Sequence, residues 1–203
     1  MTQRSARVRR RLVPMVILLV VVTVGLGLLA RLMLDFSGGA GAPFTGGGLS
    51  GAPVDDGEIP VGERVSVFDV DRAAVANLDP ELLAAIQRAA TDAAVEDIPF
   101  FVTSGWRSPE YQARLLSEAE QLYASAEEAR RWVATPDTSL HVSGDAIDIG
   151  DFDAAYWLSL NGARYGLCQI YANEIWHFEL RPEAVTAGCP EQYLDPTHDP
   201  RMG

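Results

Sequence analysis

The chain has 203 residues, 48% of them hydrophobic and 22% charged, with 28 acidic side chains against 16 basic ones. Those proportions are globular and exclude a wholly disordered protein. Every basic residue is Arg, and residues 1–34 hold six of them with no acid, which leaves ten Arg against all 28 carboxylates in the rest of the chain. A body that acidic excludes nucleic acid as a partner, because counterion release needs clustered cations.

The chain opens with a basic tail over residues 1–11, carrying Arg4, Arg7, Arg9, Arg10 and Arg11. An uncharged apolar run follows from Leu12 to Ala30. As a helix it would span about 29 Å, close to the roughly 30 Å hydrocarbon core of a bilayer. Five Arg before the run and only Arg31 after it place the N-terminus in the cytoplasm. Residues 12–34 are therefore expected to be a single transmembrane anchor. The alternative is a cleaved signal peptide, but its apolar region is usually about 7–15 residues, and Leu28-Leu29-Ala30 lacks the small–x–small cleavage pattern. Cleavage further on, among Gly39, Ala40, Gly41 and Ala42, stays open. Residues 35–59, rich in Gly, Ala and Pro, have the composition of a flexible linker. Residues 60–203 are expected to form one extracytoplasmic domain with its own core.

Within that domain the pattern predicts an extended lead-in over 59–70 and a helix opening at Asp79-Pro80. The helix would bury Leu82, Leu83, Ile86, Ala89, Ala90 and Ala93. A strand over 98–103 is followed by a second helix opening at Ser108-Pro109, and Ser125 with Glu128 reads as a capping box. A strand over 146–149, a short helix over 152–160 and a hairpin made of 167–171 and 175–180 complete the order. The predicted fold class is α+β, a small antiparallel sheet flanked by helices. Cys168 and Cys189, an even pair in an exported domain, are expected to form a disulfide worth about 3 kcal/mol by loop-closure entropy. The alternative is a pair of buried thiols.

Three histidines occur in the chain, and two stand among carboxylates: His141 with Asp148, and Glu174 with His177. Two imidazoles and a carboxylate are a normal ligand set for catalytic zinc, and a further carboxylate off the metal is what such a site needs as a base. On straight strands, seven residues would set His141 and Asp148 on opposite faces, and three would do the same to Glu174 and His177. Both segments must therefore bend, the first at Ser143-Gly144 and the second at a turn near Asn173. Taken singly, His177 also reads as a core histidine and Asp148 as a capping residue. Read together, the four make a metal site.

Several segments in the right order resemble the VanY/VanX-type zinc D-alanyl-D-alanine carboxypeptidases and dipeptidases. Ser104-Gly105-Trp106-Arg107-Ser108 with Tyr111-Gln112 is similar to the family's SGYRS…Q segment. Ser139-x-His141-x-x-Gly144-x-Ala146-x-Asp148 is similar to its SxHxxGxAxD motif, and Arg164-Tyr165-Gly166-Leu167 to its RYGF stretch. Glu174-x-Trp176-His177 matches ExWH. The resemblance implies a DD-peptidase/Hedgehog-like fold and one zinc ion on His141, Asp148 and His177. It also implies Glu174 as general base and Arg107 facing the substrate, with Gln112 and Ser139 as hydrogen-bonding partners. The implied substrate is the peptide stem of peptidoglycan, and removal of its terminal D-Ala is the expected reaction. An L,D-carboxypeptidase, a D,D-dipeptidase or an endopeptidase would use the same constellation, and a non-catalytic zinc-stabilised wall-peptide binder is the alternative of another class. Ile175 stands where family members usually carry Pro, and the stretch between Gly166 and Glu174 is short. The tail from Arg181 to Gly203 lies outside the motifs, with His198 expected at the surface.

Overall fold

A computed structural model describes residues 55–202. The expected anchor and most of the linker lie outside the described residues. Among the described residues, no helix is long and apolar enough to cross a membrane.

The extended lead-in condenses to two paired residues, β1 (Val65–Ser66). It stops there because Asp69 turns the chain: its carboxylate accepts from the Ser66 amide at 2.8 Å while its own amide donates to the Ser66 carbonyl. A single helical turn, α1 (Ala73–Ala76), follows; it has no side-chain cap and no sequence signal announced it. The next helix, α2 (Pro80–Ala94), starts where expected. The Asp79 carboxylate accepts from the amides of Glu81 and Leu82, and Pro80 sits in the first turn, where no amide proton is needed. Its buried stripe is Leu82, Ala85, Ile86, Ala89, Ala90 and Ala93, with Leu83 half-buried beside it.

The strand expected from Ile98 begins later, as β2 (Phe101–Ser104). The Ile98 amide is spent on the Ala93 carbonyl at the helix end, and Pro99 has no proton to give a ladder. Ser108 caps α3 (Pro109–Tyr123) through the Tyr111 amide. Ser125 likewise caps α4 (Ala126–Arg130) through the Glu128 amide. That capping box is half made, since the Glu128 carboxylate turns to Arg131 at 3.1 Å. A further single turn, α5 (Leu140–Ser143), leads through Gly144 into β3 (Ala146–Gly150) and α6 (Phe152–Asn161). A 3-10 turn over Gly162–Tyr165 then brings the chain to β4 (Leu167–Gln169), β5 (His177–Leu180) and α7 (Ala184–Ala187).

The five strands form one antiparallel sheet in the order β1-β2-β3-β5-β4. Alternation sorts its two faces. Val102, Ile147, Ile149 and Phe178 join Leu82, Ile86, Ala89, Trp157 and Leu158 in a core that α2 and α6 cover. Asp148, His177 and Glu179 therefore fall on the opposite face, and a register shift between Val102 and Ser104 brings Ser104 into line with Asp148 there. The expected α+β class is the observed one.

Cys168 and Cys189 are joined, their Cα atoms 5.5 Å apart. Past the bond, the tail runs back across the molecule. Tyr193 pairs with Tyr171, its amide donating to the Ile170 carbonyl and its carbonyl accepting from Ala172. Two 3-10 turns, Pro196–His198 and Pro200–Met202, then lie against the functional face.

Candidate active site

The site is assembled on one row of the sheet. Register sets Ser104 of β2 beside Asp148 of β3, and Asp148 beside His177 of β5. His141 reaches the same spot from α5 because the chain breaks at Gly144, at a φ of 85° that favours glycine. A Cβ added there would also stand 2.5 Å from the Asn77 carbonyl oxygen. Glu174 lies in the turn before β5, its carbonyl accepting from the His177 amide at 3.1 Å. Both bends required by the odd spacings are present.

His141, Asp148 and His177 each bring one ligand atom into a group whose members all lie within 4.8 Å of one another. Asp148 Oδ1 is 3.5 Å from His141 Nε2 and 3.2 Å from His177 Nδ1. The other nitrogens are engaged elsewhere. His141 Nδ1 lies 2.9 Å from the Gly105 carbonyl oxygen, which can only accept, so Nε2 is the nitrogen with a free lone pair. His177 Nε2 lies 3.3 Å from a carboxylate oxygen of Glu179. Glu174 Oε2 approaches His177 Nδ1 at 3.7 Å, while its Oε1 is buried with no hydrogen-bond partner.

Burial decides the electrostatics first. It pushes Glu174 up to about 7, with the neighbouring Asp148 adding to the shift. Burial, helped by the Arg107 cation, holds His141 below its ordinary value and so neutral at physiological pH. For Asp148 burial works in the opposite sense to its two histidine partners. The histidines win, and the carboxyl is held well below the usual carboxylate range. His177 resists its burial because Asp148 and Glu179 both bond to it, and it is carried up to about 10. Carboxylates that favour a proton on His177 favour a metal cation in its place.

A cleft of about 210 Å³ opens over these groups, and Arg107, Gln112, Ser139 and Trp176 line it. Arg107 is held by three partners: Nε donates to Ser104 Oγ at 2.7 Å, Nη1 to Gln112 Oε1 at 3.0 Å, and Nη2 lies 3.3 Å from Asp148 Oδ2. Gln112, buried, also donates to the Ala134 carbonyl at 2.8 Å, so its amide locks Arg107 in place. Ser139 is buried at the cap position of α5 without a side-chain cap bond. Every residue singled out from the sequence for the site thus meets in one cleft. His198 does not: half exposed, it bonds to Asp195 at 2.9 Å. Sequence reasoning missed Glu179, whose signal was its place two residues after His177 on a strand, hence on the same face. It missed the tail as well, whose Pro196 and Met202 form part of the cleft wall.

A family model described as VanY, D-alanyl-D-alanine carboxypeptidase, matches residues 75–182, more than half of the chain. The chain belongs to the VanY family. A curated D-alanyl-D-alanine carboxypeptidase of Enterococcus faecalis is 34% identical, the match covering 46% of this chain and 47% of that protein. The chain thus spans about half the length of that relative. Among solved structures, VanYB in complex with D-alanine-D-alanine is 25% identical with a TM-score of 0.50, covering 55% of this chain and 74% of that one. A VanY mutant from the VanB-type resistance cassette, in complex with Zn(II), is 26% identical with a TM-score of 0.47, covering 51% and 72%. The match places this VanY-family chain's four site segments, from Ser104 to His177, inside the matched region.

Proposed function

We propose that this VanY-family protein is a membrane-anchored zinc carboxypeptidase that removes the terminal D-Ala from peptidoglycan stem peptides. The observation that carries the reading is a buried two-His, one-Asp donor set beside a carboxylate whose inner oxygen has no partner. That donor set suits zinc, the second nitrogen of each histidine being already engaged. Zinc, when bound by His141, Asp148 and His177, would polarise the scissile carbonyl and make water acidic enough to ionise near neutral pH. Family membership, the Enterococcus faecalis relative and the similarity to VanYB with its dipeptide support D-Ala-D-Ala as the substrate end.

The protein's own groups supply the rest. Glu174, whose Oε2 lies 3.7 Å from His177 Nδ1, accepts a proton from the attacking water on its carboxylate and passes it to the departing amide nitrogen. A C–O bond forms as the C–N bond breaks, and the products are D-Ala and a stem peptide one residue shorter. Arg107, locked by Ser104 and Gln112, presents a fixed cation to the substrate's terminal carboxylate or to the developing oxyanion. Ser139 offers its hydroxyl to the peptide from the cleft wall. The basic tail and apolar run at the N-terminus support an anchor that sets the domain outside the cell.

The test is metal analysis of the purified full chain together with mass spectrometry of defined stem peptides. The expected result is one zinc per chain and the loss of one D-Ala from a pentapeptide. Trimming of the tetrapeptide alone would replace the D,D reading by an L,D one. Binding of either peptide without cleavage would end the hydrolase reading. Protease added to intact cells should remove residues 60–203 and spare the N-terminus; a mature chain starting near residue 40 would overturn the anchor.

A further inference from the structure

His177 is held by more than its strand. Its Nε2 faces Glu179, whose side chain is fully buried and whose oxygens are both saturated. Oε1 takes His177 Nε2 and Arg201 Nη2, each at 3.3 Å. Oε2 takes Arg201 Nη1 at 2.8 Å and also bonds Arg181. Four donors thus fill the four acceptor positions of one carboxylate. A buried carboxylate costs several kcal/mol to desolvate unless it is so paired, by roughly the Born argument.

Two of those donors come from Arg201, at the far end of the tail. Arg201 is itself fixed by Asp199, which also accepts from the hydroxyl of Tyr171 at 2.9 Å. The Tyr171 ring lies 5.1 Å from the His177 ring. The tail therefore clamps His177 twice, by charge through Arg201 and Glu179 and by packing through Asp199 and Tyr171. Were the task only to fill space, an apolar residue at 179 would do it without desolvating charge.

We infer that Glu179 and Arg201 are positioning residues for the metal centre. By accepting the His177 Nε2 proton, Glu179 directs Nδ1 at the ion, and the C-terminal tail, through Arg201, completes that support. The inference rests on the zinc reading above. A carboxylate behind a ligating imidazole fixes the tautomer and ring plane and raises the basicity of the ligating nitrogen. Here its orientation depends on a segment that lies beyond residue 182, where the family match ends.

The test measures metal binding rather than hydrolysis, so its failure is separable from that of the proposed reaction. Zinc(II) affinity of the full chain is read by competition with a chromophoric chelator for wild type, Glu179→Gln, Arg201→Ala and Arg201→Lys. Each variant is first checked for folding in its metal-free form. Glu179→Gln should weaken zinc binding about 10–100-fold, the usual effect of losing such a partner. Arg201→Ala should fall at about the tenfold end of that range, with Arg201→Lys between it and wild type. Cobalt(II)-loaded Glu179→Gln and Arg201→Ala should show altered d–d absorption, which a remote loss of stability would leave unchanged. In the zinc-loaded wild type, nitrogen NMR should find the His177 proton on Nε2. Should Glu179→Gln not fold, the two Arg201 variants decide on the same criterion. Folded variants with wild-type affinity and spectra, or a metal on Nε2, would overturn the inference while leaving the zinc reading intact. A wild type that takes up no zinc would remove both. A wild type that binds zinc but cleaves no stem peptide would remove only the reaction.

Discussion

The inner oxygen of Glu174 is the most informative single atom in the cleft. Buried polar atoms normally find a partner, and each exception asks for an explanation. A carboxylate kept short of partners, and so easily protonated, is the explanation offered by a base beside a metal-donor set. Gln at this position keeps the shape but cannot take a proton at neutral pH. Glu174→Gln should therefore retain stoichiometric zinc and the fold while kcat falls about 10²–10⁴-fold. Ala at His141, Asp148 or His177 should remove zinc and activity together, because three ligands leave none to spare. Metal analysis of the four variants beside their rates separates base from ligands. A Glu174→Gln protein without zinc would make Glu174 a ligand instead.

At the level of elements, the site depends on how one short turn ends. α5 carries His141 and stops at Gly144, and three residues of β3 later the chain delivers Asp148. Gly144→Ala would meet an unfavourable φ, a strain of about 1–3 kcal/mol by itself, and in addition a backbone clash with the Asn77 carbonyl that something must shift to relieve. The expected outcome is a lower denaturation midpoint together with weaker zinc binding, since relief of the clash separates the end of α5, which carries His141, from the Asn77–Asp79 segment. Gly62→Ala is the control. It has a similar φ of +88° but open space around the added carbon. It should lower stability with zinc affinity unchanged, measured in the same melts and chelator titrations.

Across the whole domain, the C-terminal tail is tied down by the disulfide and by buried acids. The bond from Cys168 to Cys189 anchors the chain at β4 just before it turns back toward the cleft. Replacing both cysteines by Ala should cost about 3 kcal/mol on the loop-closure argument. It should also weaken zinc binding, as the segment bearing Arg201 loses its tether; a denaturant melt and the same chelator titration check both. Asp195 adds a pH-dependent tie. Burial would raise its pKa, but bonds from Thr197, His198 and Arg131 outweigh burial and hold it below the ordinary carboxylate value. A group whose folded pKa is depressed stabilises fully above its unfolded pKa, near 4, and loses that contribution as pH falls toward the folded value. The difference in melting temperature between wild type and Asp195→Asn should be constant above about pH 5 and shrink below about pH 4. A difference that grows on acidification would reject the assignment.

Local chemistry wrote much of this molecule plainly. Asp79-Pro80 and Ser108-Pro109 announced their helices because caps act within a few residues. The strand pattern placed Asp148 and His177, and the residue types of His141, Asp148, Glu174 and His177 pointed to a candidate metal site before any contact was known. The single turns α1 and α5 were not legible, being four residues long with no side-chain cap to mark them. Nor was the register that sets Ser104, Asp148 and His177 in one row, because strand pairing is a property of the assembled sheet. Glu179 and Arg201 are 22 residues apart and share no motif. Only a tail folded back over the functional face brings the two charges together, and burying them there forces them to pair.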